Sequence, residues 1–413
     1  MSASRVVVIG AGITGVTTAY ALIRQGYAVT VIDRHPYASM ETSYANGGQL
    51  SASNAEVWNS WGTIVKGLKW MFSAQAPLLL NPGPSYHKYS WLAEFIAGIR
   101  NYRSNTIETV RLAIEARKYL FEIAEREQIH FDLERRGILH LYHDKKSFDG
   151  AARANELLRQ GGLERHAVTQ EEIGAIEPTL EPKFYGGFFT PSDATGDIRK
   201  FTRGLADACV RHGATFRLGS TVTGIDTNGS LVVRATNSET GEEQRPITAD
   251  AVIVCAGVAS RNLASMLGDR VNIYPVKGYS ITVCLDDPIS QSGAPTVSLL
   301  DEAAKIVTSR LGRDRFRVAG TAELNGYSLD IRADRIAPLI RWSRRLFPKM
   351  STATVIPWAG LRPMMPSMMP RVGRGGRRGI YYNTGHGHLG WTLSAATAAS
   401  IAGVVDRDLC AAR

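Results

Sequence analysis

The sequence predicts an α/β fold: a doubly wound parallel sheet interrupted by an inserted α+β domain that carries an antiparallel sheet. Three observations predict it. An apolar run, a glycine-rich turn and a helical stretch follow one another at the start of the chain. A second strand running into glycine, Ala251 to Cys255 followed by Ala256-Gly257, recurs in the middle. Beyond it lie segments of period-two alternation, the pattern of a sheet with two unlike faces.

Composition narrows the class. The 413 residues are 44% apolar, 21% charged and 8% aromatic, which excludes a disordered or collagen-like chain and suits one large or two interleaved domains. Lys and Arg outnumber Asp and Glu by 48 to 38, a net charge of +10. That balance suits phosphate cofactors, carboxylate substrates, acidic lipid or nucleic acid, and equally a solvated surface. Cys209, Cys255, Cys284 and Cys410 stand far apart without a C-x-x-C, so neither a disulfide framework nor a metal site is expected. Cys255 and Cys284 lie in apolar runs and are expected to be buried, and a reducing cytoplasm fits this usage. Glycines break the apolar run from Val6 to Ile23 and an acid-ended strand follows it, the mark of a βα unit rather than an export signal. No run of 18 uninterrupted apolar residues is present to span a membrane.

The elements follow in order. Val6-Val7-Val8-Ile9 reads as a doubly covered strand, Val16 to Gln25 as a helix ended by Gly26, and Ala28 to Ile32 as a second strand closed by Asp33. Tyr37 to Ser53, rich in Ser, Asn and Gly, reads as loop. Trp58, Trp61, Val65, Leu68 and Phe72 recur at helical spacing with Lys66 and Lys69 between them, the pattern of an interfacial helix or of a core helix. Helix is expected over Tyr89 to Glu127, strand at Ile138 to Tyr142, helix over Phe148 to Gly161 and strand at Phe184 to Phe189. Asp197 caps a helix to Gly213. Strands follow at Thr215 to Leu218, Ser220 to Ile225, Leu231 to Ala235 and Ala251 to Cys255. Gly278 to Leu285 and Arg315 to Thr321 belong to a separate antiparallel sheet, and Ile331 to Phe347 returns to helix. The division this suggests assigns 1–55, 145–265 and 350–413 to the doubly wound domain, and 56–144 with 266–349 to the insertion.

The first turn carries the chemistry. In Gly10-Ala11-Gly12-Ile13-Thr14-Gly15, Gly10 allows the tight turn, Gly12 admits a pyrophosphate close to the backbone, and Gly15 lets helix and strand pack together. Helix-start N–H groups then face the phosphates, and Asp33 is placed to accept from ribose hydroxyls. This Rossmann-like fingerprint marks a dinucleotide without choosing FAD or NAD. The run from Tyr381 to Thr392, followed by a helix from about Thr392 to Val405, favours a flavin, because amides at that helix start can hold negative charge on a reduced isoalloxazine. Arg362, in a Gly/Pro/Met-rich stretch that reads as loop, offers the two parallel donors that a planar carboxylate accepts. The basic run Arg371 to Arg378 lacks interleaved aromatics, and no RNA-binding module accompanies it, so nucleic acid is not the expected partner.

Four segments occur together: the fingerprint, Thr42-Ser43-Tyr44-Ala45-Asn46-Gly47-Gly48-Gln49, Ala359-Gly360-Leu361-Arg362-Pro363, and Gly385-His386-Gly387-His388-Leu389-Gly390-Trp391-Thr392. Together the chain resembles, nearly end to end, the FAD-dependent D-amino-acid oxidoreductases. The resemblance implies FAD held by the fingerprint residues with Asp33 and Arg34. It implies Ser43, Asn46, Gly47, Gly48 and Gln49 lining the flavin ring, and Val222 touching the adenine end through its backbone. Ala256 and Gly257 approach the pyrophosphate, while Gly387, His388, Leu389, Gly390, Trp391 and Thr392 hold the pyrimidine edge. Arg362 binds the substrate carboxylate; Tyr279, Tyr44 and His388 are substrate-side contacts or structural hydrogen bonds. The implied reaction is oxidative deamination of a D-amino acid by hydride transfer from Cα to flavin N5, with electrons passed to a quinone-type acceptor. Oxidation of cis-4-hydroxy-D-proline, glycine or opines would use the same motifs, and a non-catalytic flavin-binding subunit is the alternative of another class. The expected location is the cytoplasm, with peripheral contact at the inner face of the membrane through Trp58 to Phe72.

Overall fold

Strand β1 (Arg5–Ile9) is the pivot of a six-stranded sheet, and four of its five residues are buried. In the computed structural model, which describes residues 3–70, 77–181 and 183–411, this sheet runs Arg371–Arg374, Ile380–Thr384, Ala251–Val254, β1, β2 (Ala28–Ile32), Thr215–Arg217. All pairings are parallel except the hairpin at the Arg371–Arg374 edge. Val-, Ile- and Ala-rich strands of this kind need cover on both faces. One face is covered by helix α1 (Ile13–Arg24) and the helices Tyr102–Arg126, Ile198–Arg211 and Gly390–Ala411, which share one core. The other is covered by the short helix Ser260–Met266 and an antiparallel three-stranded sheet, Ser220–Asp226, Leu231–Asn237 and Ile247–Ala249.

Local chemistry sets the ends of these elements. Gly26 (φ +88°) follows α1 where the left-handed conformation stops a helix. Asp197 Oδ1 accepts from the Arg199 and Lys200 N–H groups at 2.9 and 3.1 Å, capping Ile198–Arg211 as expected. The segment Gly387–Ala411 is long and apolar enough to cross a membrane by composition, yet 67% of its apolar window is buried against α1 and its neighbours. It is the core helix of this domain.

Among the described residues the second sheet has nine strands. Its main path runs Val355–Met364, Tyr274–Cys284, Arg315–Leu324, Ile306–Leu311, Ser298–Asp301, Ile138–Tyr142, Gly186–Thr190, His166–Val168, and Leu78–Leu80 pairs with Arg315–Leu324. It is mixed rather than antiparallel throughout, because Ser298–Asp301 runs parallel to Ile138–Tyr142 and Leu78–Leu80 parallel to its partner. Helix Ala333–Leu346 packs on one face through Ile336, Leu339 and Trp342. Tyr274–Cys284 is buried along nearly all its length, so alternation there does not mean one wet face. Cys255 is buried, but Cys284, at its strand's end, is only half-buried.

Sheet pairing does not follow the division expected at 145 and 350. His166–Val168, Gly186–Thr190 and Val355–Met364 hydrogen-bond into the second sheet, whereas the helix Tyr102–Arg126, assigned to the insertion, packs Ala116, Leu120 and Ala124 into the first core. The chain crosses between the two bodies more often than composition reveals.

Close packing at the first turn yields a direct test. A Cβ on Gly15 would sit 1.8 Å from the Gly10 carbonyl oxygen, a backbone atom that cannot yield. Gly15→Ala should destabilise by on the order of 3 kcal/mol and lower Tm by several degrees. Gly224→Ala, where no atom lies within 4 Å, should leave Tm within about a degree, since open surface sites tolerate substitution.

Candidate cofactor and substrate site

A cavity of about 570 Å³ opens at the carboxyl ends of the parallel strands and continues to the face of the second sheet. That is where doubly wound sheets hold ligands, and the volume lies within the usual range for them. Gly10, Gly12, Ile13 and Thr14 line it at the start of α1, with Asp33 and Arg34 beyond β2. Asp33 Oδ2 accepts from the Ala11 N–H at 2.6 Å and Oδ1 from the His35 N–H at 2.8 Å, while burial pushes its carboxyl above the usual range. Arg34 ion-pairs with Glu41.

Two fingerprint residues stay out of the cavity wall. Ala11 is buried beneath it, fixing Asp33, and Gly15 packs against the Gly10 carbonyl. Both shape the turn rather than line the space. Ser43 lines the cavity at the helix end, where its Oγ accepts the Ile13 N–H at 3.0 Å, so that donor is taken. The N–H groups of Thr14 and Gly15 remain in the first turn, where a helix has no internal acceptor.

The segment Asn46-Gly47-Gly48-Gln49 is clamped onto the second sheet. Ser309 Oγ donates to the Gly47 carbonyl at 2.6 Å, Arg317 Nη1 to the Asn46 carbonyl at 3.1 Å, and Gln49 Nε2 to Ser298 Oγ at 2.8 Å. A Cβ on Gly47 would meet Val307 at 2.7 Å, so the approach demands glycine. Val222, Ala256 and Gly257 line the opposite side. Gly257 has φ +53° and no atom within 4 Å of where a Cβ would project, so its absent side chain leaves space for a ligand.

The C-terminal segment Gly387, His388, Leu389, Gly390, Trp391 and Thr392 completes the wall, and the helix Gly390–Ala411 points its N-terminus at the cavity. The helix begins two residues earlier than the sequence suggests. His388 Nε2 lies 3.3 Å from the Asn54 carbonyl, which can only accept, and its ring stacks on Trp58 at 4.6 Å. Burial first, then the nearby Arg362 charge, brings its pKa down to about 4, so the ring is neutral and Nδ1 is a bare acceptor without a partner among the described residues.

Arg362 comes from the strand Val355–Met364, not from a loop. This strand lies at the sheet edge, where Pro357 and Pro363 are tolerated. The guanidinium lies flat over Gly278: a Cβ there would stand 2.3 Å from its Cζ. Its one hydrogen bond among the described residues is a long one, 3.4 Å from Nη1 to the Thr321 carbonyl. Burial alone shifts it, down to about 10, with no carboxylate to offset the loss of water. Tyr279 behaves differently. It borders the cavity, and its hydroxyl donates to buried Glu323 at 3.1 Å. Tyr44 stacks beneath Arg199 and is absent from the cavity wall. Trp58, Trp358, Thr321, Lys305 and His386 line the cavity without having been singled out for it, because each arrives by long-range packing.

Comparison with known proteins gives the class. The pattern of the DAO family, described as FAD dependent oxidoreductase, matches residues 5–403, and the chain belongs to that family. It is 62% identical over 406 residues to D-amino acid dehydrogenase 3 of Mesorhizobium japonicum, covering 98% of each chain. It is 41% identical to a D-amino acid dehydrogenase of Dechloromonas aromatica, covering 97% of this chain and 96% of that one. Its fold is that of glycine oxidase from Geobacillus kaustophilus (TM-score 0.75, 20% identity, 98% and 95% covered) and of L-proline dehydrogenase from P. horikoshii (TM-score 0.75, 18% identity, 98% and 94% covered). The cofactor of the family is FAD. The cavity fits it: glycine-only approaches at both ends, a helix N-terminus at each, and unpartnered buried atoms at Trp391 Nε1 and His388 Nδ1.

Buried histidines make stability depend on pH. Burial lowers His140 to about 4 and His386 to about 3, both from 6.5. In the folded state they stay neutral while the unfolded chain protonates below pH 6.5, so stability is held above that pH and falls as pH drops towards 4. Each contributes about 1 kcal/mol per pH unit in that window. Chemical denaturation at pH 7, 6 and 5 should show the loss, and His386→Gln should flatten the slope.

Proposed function

We propose that the chain oxidatively deaminates D-amino acids, with FAD bound along the cavity. The observation that carries this reading is the guanidinium of Arg362, enclosed at the substrate end without a carboxylate partner among the described residues. A desolvated, unpaired cation calls for an anion, and its planar donor pair selects a carboxylate. The relatives named D-amino acid dehydrogenase, aligned over nearly their whole length, supply the substrate class.

The fingerprint turn with Asp33, and Ala256 with Gly257, would hold the adenosine diphosphate half; Asn46 to Gln49 and Gly387 to Thr392 would hold the ring. FAD supplies the two-electron acceptor for the hydride of the substrate Cα. Arg362 binds and orients the carboxylate, which fixes Cα. His388 Nδ1 accepts a hydrogen bond from the substrate amine and helps to place it, while enclosure away from water favours the neutral amine that hydride loss requires. Trp58 and Trp358 wall the site from water. The imine product hydrolyses to a 2-oxo acid and ammonia. Electrons pass to a quinone-type acceptor, and the helix Trp61–Trp70, with Trp61 66% and Val65 51% exposed, is the surface for peripheral contact with a membrane. Phe72, the last residue of this pattern, lies outside the described residues.

Anaerobic mixing with D-alanine should bleach the flavin and release ammonia, whereas L-alanine should not; no bleaching by any of a panel of D-amino acids, glycine and D-proline analogues would sink the proposal. Arg362→Ala should retain FAD and lose at least about a hundredfold in kcat/KM, as expected when one partner of a buried charge pair is removed. Flotation with anionic liposomes should carry the protein upward, and Trp61→Ser should reduce it.

A further inference from the structure

We infer that Thr321 is a second anchor for the substrate carboxylate, its hydroxyl donating to the oxygen that Arg362 also holds. The inference rests on the cavity's being an amino-acid site. Pairing between Tyr274–Cys284 and Arg315–Leu324 slips at this point: Gly278 faces Ala322, Tyr279 faces Gly320, and Thr321 is left between them as a bulge. Its φ is +57°, a conformation that a β-branched residue adopts only when its surroundings impose it. Glycine would fill the position without strain, and Gly320 stands immediately before it. Strain of this kind, kept beside a ligand cavity, re-aims a residue.

The re-aimed groups are the right ones. The Thr321 carbonyl accepts from Arg362 Nη1, which ties the bulge to the guanidinium. Thr321 borders the cavity, the residue is only 8% exposed, and its buried Oγ1 has no hydrogen-bond partner among the described residues. A buried hydroxyl with neither donor nor acceptor is destabilising unless a ligand completes it. The ligand that the neighbouring guanidinium requires is a carboxylate, an acceptor with lone pairs to spare for a third donor.

Three variants of the holoenzyme test it, with steady-state turnover of D-alanine and titration of the flavin spectrum with pyruvate as a carboxylate probe. Thr321→Val keeps shape and strain and removes the donor. It should raise KM and weaken pyruvate by about tenfold each, with kcat within about twofold, the scale of one hydrogen bond to a charged group. Thr321→Ser should restore both to near the wild-type values. Thr321→Gly relieves the backbone, so it should unfold no earlier than wild type and still show the raised KM; it decides the matter should Thr321→Val fail to fold. KM and pyruvate binding within about twofold of wild type in the Val or Gly variants would overturn the role, as would a Ser variant as impaired as Val. A wild type that binds pyruvate but oxidises no D-amino acid would overturn the substrate reading and leave the pyruvate series to judge Thr321.

Discussion

Backbone meeting backbone at the end of β1 is the constraint on which the cavity depends. A Cβ on Gly10 would stand 2.5 Å from the Cys255 carbonyl oxygen, and one on Gly15 would stand 1.8 Å from the Gly10 carbonyl. Two parallel strands and the first helix therefore converge with no side chain between them. The turns that follow β1 and Ala251–Val254 open on the same side, and the N-terminus of α1 is left facing the space they enclose. Any larger residue at these positions would separate the strands and move both walls at once. The inserted sheet could then no longer reach the same space, because its clamp on Asn46 to Gln49 is anchored to this turn through Ser43 and Ile13.

The inserted sheet differs from that first domain in how it treats charge. Most of its buried ions are matched. Glu323 receives Lys277 at 3.1 Å and Arg335 at 3.5 Å, and the partly buried Arg315 bridges Asp132 and Asp197. Such pairs contribute little net stability, since desolvation offsets most of the attraction, but leaving one member unmatched is expensive. Arg362 is left so, and next to it sits a strained threonine with an unmatched hydroxyl. Two unfavourable features share one wall and one hydrogen bond, and a bound carboxylate would relieve both.

What the sequence disclosed was local. The fingerprint, the Gly26 stop and the Asp197 cap are each decided within a few residues, and all three appear as read. Arg362 was legible as a residue but not as a strand residue, because Pro357 and Pro363 argue for loop unless one knows that their strand is an edge. Pairings such as Ile138–Tyr142 beside Ser298–Asp301 join distant parts of the chain, so the expected boundaries at 145 and 350 had no local signal to correct them. Thr321 was invisible for a related reason: its left-handed φ is imposed by a slip between two strands, and threonine itself argues against it.

Period-two geometry explains why Arg362 and Tyr279, both singled out from sequence, end in different roles. In the antiparallel pairing, Val276 opposes Arg362, Gly278 opposes Gly360 and Ser280 opposes Trp358, and opposed residues share a face. Gly278, Ser280, Trp358, Gly360 and Arg362 all border the cavity. Lys277 and Tyr279, one step out of phase, direct their polar ends to Glu323, and Tyr279 also borders the cavity. A slip of one residue would put Leu361 where Arg362 stands. The flat seat on Gly278 guards against that slip, because the guanidinium occupies the volume that any other residue would fill with a Cβ. Arg362 thus also fixes the register that presents it.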